Sequence, residues 1–370
     1  MSDQPTPPPK PILSPFQTAS RLGVILVVIA LLGGAFAYTG GWLDPQRLTP
    51  TRIVDSFEQA SGRHPGFRRN HAKGVCVVGL FVSTGAAAKF SSAEVFAPGR
   101  RTPVVGRFAI PGGNPYAPDG GVPIRSLALR FNQLNGQQWR TGMNSMPVFP
   151  VATPQAFYEQ LQASQPVAAT GKPDPERMKA FFAAHPETAP FLQWVKSAKP
   201  SASFATEAYN GLNAFFLVND AGQRQAVRWG LVPEETAQPG GQPLPADPDF
   251  LAQDLAQRLA HGPLRWHLTL ILANPGDPTN DATKQWPAGR TVVDAGTLLL
   301  QSTEPQDSGP CRDINYDPLV LPTGILPSDD PLLAARSAVY ATSYERRTSE
   351  EAGVSAAGHT APPAAKDPRS

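Results

Sequence analysis

Cysteine is scarce in this 370-residue chain, which has only Cys76 and Cys311. Neither sits in a CxxC or CxxCH motif, which excludes a zinc ribbon, a thioredoxin-type pair and covalent attachment of a c-type haem. Two thiols permit one disulfide, but their spacing does not establish it. Net charge is nearly absent too: 32 Lys and Arg against 30 Asp and Glu leave +2. That is too little for a basic nucleic-acid-binding field, so no nucleic-acid partner is expected. His64, His185, His261, His267 and His359 show no HExxH or other ligand spacing and read as structural or surface residues. Gly112-Gly113 and Gly120-Gly121 flank a Pro-rich loop without a strand-to-helix context, which argues against a phosphate cradle. No internal repeat is visible. Proline is in excess, with 42 residues at scattered segment ends, against a usual share of about 5%. It implies many loops.

The chain carries one long apolar run, Leu22–Tyr38, without a charge. With the following Thr-Gly-Gly-Trp-Leu it reaches the ~20 residues that span a bilayer core. Lys10 and Arg21 precede it, which places residues 1–21 in the cytoplasm, residues 22–43 in the membrane and the rest outside. The expected location is the inner membrane, single-pass, with a periplasmic domain. A cleaved signal peptide is the alternative, since Ala35-Phe36-Ala37 resembles a cleavage site.

Residues 44–345 read as one α+β domain, and 346–370, rich in Ala, Pro, Ser and charge, as a disordered tail. Thr49-Pro50 is predicted to start a helix running through Ala60, with Pro in its first turn. Strand-like runs follow at Val75–Ser83, Pro103–Ile110, Ser126–Asn132, Ala214–Asn219, Arg224–Leu231, His267–Ala273 and Thr297–Ser302. Helices are predicted at Thr153–Ala163, Pro175–Ala184, Asp247–His261 and Asp330–Ser343, the last two capped by Asp before Pro. Strands and helices do not alternate regularly, so an antiparallel barrel or sheet with inserted helices fits better than a doubly wound sheet.

The segment Arg68-Arg69-Asn70-His71-Ala72-Lys73-Gly74 before an apolar strand resembles the distal-histidine segment of catalases. The resemblance continues in order through Ser92–Phe96, Arg101–Phe108, Arg125–Phe131 (RSLALRF, similar to RGFALKF) and Asn144–Phe149, with Phe157 beyond. It resumes at Asn315–Ile325 and Asp329–Tyr340, which resemble the run FDPxxLPxGIxPSxDxxLxxRxxxY. Arg336 and Tyr340 are four residues apart on a predicted helix and therefore share a face. Typical catalases continue into a helical domain after this run.

The resemblance covers roughly residues 55–345 and implies an eight-stranded antiparallel β-barrel with inserted helices around haem b. His71 would be the acid–base group, because a neutral imidazole can take a proton from one peroxide oxygen and return it to the other. Asn144 would hold the peroxide. Tyr340 would be the iron ligand, as in catalases generally, with Arg336 beside it and Tyr344 as the rival. Arg68, Arg107 and Arg347 would pair with haem propionates, and Phe149 and Phe157 would lie near the macrocycle. One position departs from the family pattern. Catalases carry a Ser that supports the distal His where this chain has Ala109. The expected activity is a haem-dependent peroxidase using hydrogen peroxide or organic peroxides and a small organic reductant. True catalase, a hydroperoxide-rearranging relative and a haem-binding protein are the alternatives. Neither the donor nor the oligomeric state is legible.

Overall fold

The computed structural model describes residues 14–40, 42–44, 47–236 and 244–358. His359, most of the expected cytoplasmic tail and the end of the expected disordered tail lie outside the described residues. The chain divides into two compact units, residues 1–49 and 50–370. The first contains α1 (Pro15–Thr39). It begins at Pro15, before the apolar run, because Ser14 and Gln17 form a capping box. Ser14 Oγ accepts from the Gln17 amide at 3.2 Å, and Gln17 Oε1 accepts from the Ser14 amide at 3.1 Å. Its 25 residues include a window of mean hydropathy 2.3 with none of it buried. At 1.5 Å per residue, about 37 Å of helix exceeds the ~30 Å of a bilayer core. Such a helix meets the length and composition of a membrane span or a signal sequence.

The second unit begins with α2 (Pro50–Ser61), β1 (Gly74–Ser83), β2 (Arg101–Ala109), β3 (Ser126–Asn132) and β4 (Gln138–Asn144). Three helices follow, α3 (Pro154–Ala163), α4 (Pro175–Ala184) and α5 (Ala189–Ser197). Then come β5 (Tyr209–Asn210), β6 (Phe215–Val218), β7 (Arg224–Pro233), α6 (Phe250–His261), β8 (Leu264–Leu272), β9 (Val292–Pro305), β10 (Ile325–Pro327) and α7 (Pro331–Gly358). The pairing order β7-β5-β4-β3-β2-β1-β9-β8 returns to β7, closing an eight-stranded antiparallel barrel. β6 and β10 extend the sheet from the part of β7 that β5 leaves free.

Alternation along the strands sorts their side chains. Val104, Phe108, Leu127, Leu129, Phe131 and Trp139 belong to the buried core. Phe131 stacks on Trp139 at 4.6 Å and Phe108 on Phe204 at 4.8 Å, so the interior is filled, not a pore. The intervening residues Arg107, Ala109, Ser126, Ala128, Gly142 and Asn144 form a cavity wall. Cys76, on the same alternation as Arg107, forms a disulfide with Cys311, with a Cα–Cα distance of 5.4 Å.

Three expectations need correction. The helix expected from Asp247 starts at Phe250. The Pro248 carbonyl instead accepts from the Asp119 amide at 2.9 Å and Lys73 Nζ at 2.8 Å, and Asp247 Oδ1 turns to the Asp249 amide. Helix α7 does not stop at Ser343, and residues 346–358 are helical. Ion pairs explain the extension: Arg346 meets Asp55 of α2 at 2.6 Å, and Glu350 meets Arg69 at 2.6 Å and Arg63 at 2.8 Å. β4, β5, β10 and α5 are absent from the expected elements altogether.

Candidate active site

His71 enters the site through a strained turn. Its φ of 55° is the one positive value among described non-glycine residues. Asn70 holds that turn, since its Oδ1 accepts from the amides of both His71 and Gly112 at 2.9 Å. The imidazole is half-buried with its Nδ1 closed off, and desolvation, followed by Arg107, Arg336 and Arg68, pushes its pKa down to about 3. The nearby Ile110 carbonyl opposes this, but no described group hydrogen-bonds Nδ1. The ring is therefore neutral at physiological pH and available as a base.

Lys73, two residues on, fixes the entry to β1. Its ammonium lies 2.8 Å from Asp119, 2.6 Å from Asp249 and 2.8 Å from the carbonyls of Ala117 and Pro248. It ties the His71 turn to the loop before β3 and to the start of α6.

Helix α7 supplies the facing group. Asp330 caps it, accepting from the Leu332 amide at 2.9 Å. Asn213 then links cap to site, donating to Asp330 Oδ2 at 2.7 Å while its Oδ1 accepts from Arg336 Nη1 at 2.6 Å. Arg336 Nη2 reaches Tyr340 Oη at 3.3 Å. Arg347 lies over the Tyr344 ring, 5.0 Å from its centroid. Burial and Asn213 act oppositely on the Asp330 carboxyl, and burial prevails, raising its pKa.

Three guanidinium groups gather along one side. Arg68 Nη2 binds the carbonyls of Cys311, Arg312 and Ile314 at 3.0, 3.2 and 2.9 Å. Burial and the charge of Arg347 bring its pKa down to about 10. Arg107 binds the Ala72 carbonyl at 3.1 Å and Gln306 at 2.6 Å, and burial, then Arg68, lowers its pKa. Arg347 reaches Asp313 at 3.5 Å, and burial lowers its pKa as well. The Nε atoms of Arg107 and Arg347 are buried without a partner. Buried cations that repel one another and keep unused donors call for an anionic ligand.

His71, Asn144, Arg68, Arg107, Phe149, Phe157, Arg336, Tyr340 and Arg347 all line one cavity of about 530 Å³, within the usual range for small-molecule sites. Tyr344 lines it too. Phe149 and Phe157 pack against each other at 5.7 Å. Sequence reasoning missed Asn70, Lys73, Asn213 and Ser126. Only the adjacency of Asn70 and Lys73 to His71 carried a signal. Asn213 lies 123 residues from Arg336, and no local pattern marks it.

A family model described as "Catalase" matches residues 47–353. The chain is 40% identical over 332 residues to a catalase-related peroxidase of Synechococcus elongatus, covering 89% of this chain and 96% of that one. It is 31% identical to a catalase-related peroxidase of Mycolicibacterium paratuberculosis, covering 84% and 98%. A catalase of Pseudomonas aeruginosa is 28% identical over 73% of this chain and 55% of its own length, so the chain spans about half of that longer relative. Among solved structures, catalase A from Saccharomyces cerevisiae superposes with a TM-score of 0.68 at 19% identity, covering 77% of this chain and 62% of that one. That likeness concerns the fold.

Proposed function

Because the chain belongs to the catalase family and is an oxidoreductase of peroxidase or catalase type, we propose that it is a haem-dependent peroxidase anchored outside the cytoplasm. It would reduce hydrogen peroxide or organic peroxides with a small organic donor. The observation that carries this reading is the convergence of His71, Asn144, Tyr340 and three guanidinium groups, two of them with an unsatisfied buried nitrogen, on one cavity.

Family members bind haem, and the residues here fit haem b. Tyr340 offers a phenol oxygen for the iron, held by Arg336. Arg68, Arg107 and Arg347 offer donors to two propionates, and the buried Nε atoms of Arg107 and Arg347 are the unused ones. Ala109, Ala128 and Gly142 leave a shallow wall for a planar ring, with Phe149 and Phe157 lining it. When bound, haem supplies the iron at which peroxide is held and the redox equivalents. His71 accepts a peroxide proton and returns it to the departing oxygen. Asn144 orients the peroxide through its side-chain amide.

Ala109 and the unpartnered Nδ1 of His71 favour peroxidase over rapid dismutation, since the imidazole lacks a hydroxyl to steady it. The two relatives matched over nearly their whole length carry the same peroxidase name. The N-terminal helix and the Cys76–Cys311 disulfide support an extracytoplasmic domain, because disulfides persist in oxidising compartments.

Turnover of the purified, haem-loaded protein with peroxide, with and without phenolic or aniline-type donors, tests the reading. Donor oxidation should outpace oxygen release, and Tyr340→Phe should load little haem or change the ferric spectrum. Dominant oxygen release would make the protein a true catalase. Full haem content with an unchanged spectrum in Tyr340→Phe would remove Tyr340 as the ligand.

A further inference from the structure

We propose that Ser126 is a positioning residue that sets which end of the Asn144 amide faces the substrate, an inference that rests on the haem-site reading above. One rung of the barrel wall runs Gly74, Ala109, Ser126, Asn144, Asn210 across β1 to β5. Ala109, Ser126 and Asn144 all line the cavity. An asparagine amide has two unlike ends, an acceptor oxygen and a two-proton donor nitrogen, and can present either by rotating about its last bond. A peroxide oxygen that gains negative charge needs the donor end.

Ser126 Oγ donates to Asn144 Oδ1 at 2.6 Å. That bond occupies the acceptor end. Asn144 Nδ2 makes no hydrogen bond among the described residues and is not among the atoms sealed from open space. Its protons are thus left for a ligand. The amide needs this help because its neighbour gives none: His71 Nδ1 is buried without a partner, and Ala109 beside Ser126 has no hydroxyl. The one side-chain hydroxyl on this stretch of the rung therefore anchors the amide and not the imidazole. Ser126 acts through Asn144, the side chain to which it donates.

Fluoride binding to the ferric, haem-loaded protein reads this directly, without turnover. A hydrogen-bond donor to bound fluoride tightens binding and moves the long-wavelength charge-transfer band to the red. Ser126→Ala should weaken fluoride binding roughly tenfold, the worth of one hydrogen bond to a charged partner, and shift the band to the blue. Haem content should be unchanged. Ser126→Thr keeps the hydroxyl and should retain the wild-type band. In an Asn144→Ala background, Ser126→Ala should add nothing, because the residue it acts through is gone. Wild-type fluoride affinity and band in Ser126→Ala would overturn the proposal, as would an undiminished loss in the Asn144→Ala background. A wild-type protein that loads no haem would sink the reading of the site and this inference with it. A loaded wild type with an indifferent Ser126→Ala would sink this inference alone.

Discussion

A histidine whose pKa has been pushed down to about 3 differs from an ordinary one across the whole mildly acidic range. The shift has the sign expected of burial among cations, since both penalise the imidazolium. Between pH 3 and the ordinary value near 6.5, the unfolded chain binds a proton at His71 that the folded chain does not. Stability from this group is therefore complete above pH 6.5 and is lost as pH falls toward 3. In its proposed role as base, His71 stays neutral throughout this range. The rate of reaction of the ferric enzyme with peroxide should hold level from pH 7.5 to pH 5, measured by stopped-flow. A histidine with pKa near 6.5 would be about 3% neutral at pH 5 and would cost some thirtyfold. A fall with a midpoint near 6.5 would show that His71 is not the base or is not buried as described. The place of His71 in the cavity wall is legible because its flanking residues form a recognisable run. Its environment is not, because Arg107 and Arg336, which depress it, arrive from a strand and a helix far along the chain.

Elements were legible where one face is apolar and the other is not. β3 was expected with the bounds it has, and α4 likewise. β4 carries no clear strand signal, because Gln138, Arg140 and Asn144 dilute the apolar pattern of Trp139 and Met143. Those residues face the site side of the wall, where Arg140 reaches the Asn315 carbonyl and Asn144 lines the cavity. A strand that serves a site on one face loses the pattern that marks strands. α5 lacks a clear signal for another reason: it has no fully buried residue. The joints between elements rest on polar groups that no periodicity reveals, and Lys73 is the clearest case. It is only partly exposed, and its partner Asp119 is almost fully buried while also accepting from the Leu251 amide at 2.8 Å. Lys73→Met would leave Asp119 without its cation. Discounted for the partial exposure of Lys73, the loss should be about 2 kcal/mol. Urea unfolding should show the lowered midpoint, and hydrogen exchange should show faster opening at the start of α6 than in β3. An unchanged midpoint would mean that water replaces the ammonium at no cost.

At the scale of the whole molecule, an apolar helix and a disulfide bear on the same question from separate units of the chain. The disulfide closes a span of 235 residues, which by loop-closure arguments can contribute several kcal/mol, and it pins the segment whose carbonyls hold Arg68. A domain built this way suits an oxidising compartment, and an uncleaved α1 would keep it at the membrane. Two measurements on cells making the intact chain test this together. After carbonate extraction, full-length protein should stay with the membranes, and a C-terminal tag should be accessible only from outside the cytoplasmic membrane. Thiol labelling of the denatured protein should find Cys76 and Cys311 unreactive until a reductant is added. A soluble protein beginning near Tyr38, with the thiols still blocked, would show that α1 is a cleaved signal while leaving the compartment unchanged. Freely reactive thiols together with a tag protected inside the cell would remove the extracytoplasmic reading altogether, because neither the helix nor the cysteine pair would then be acting as their physical chemistry suggests.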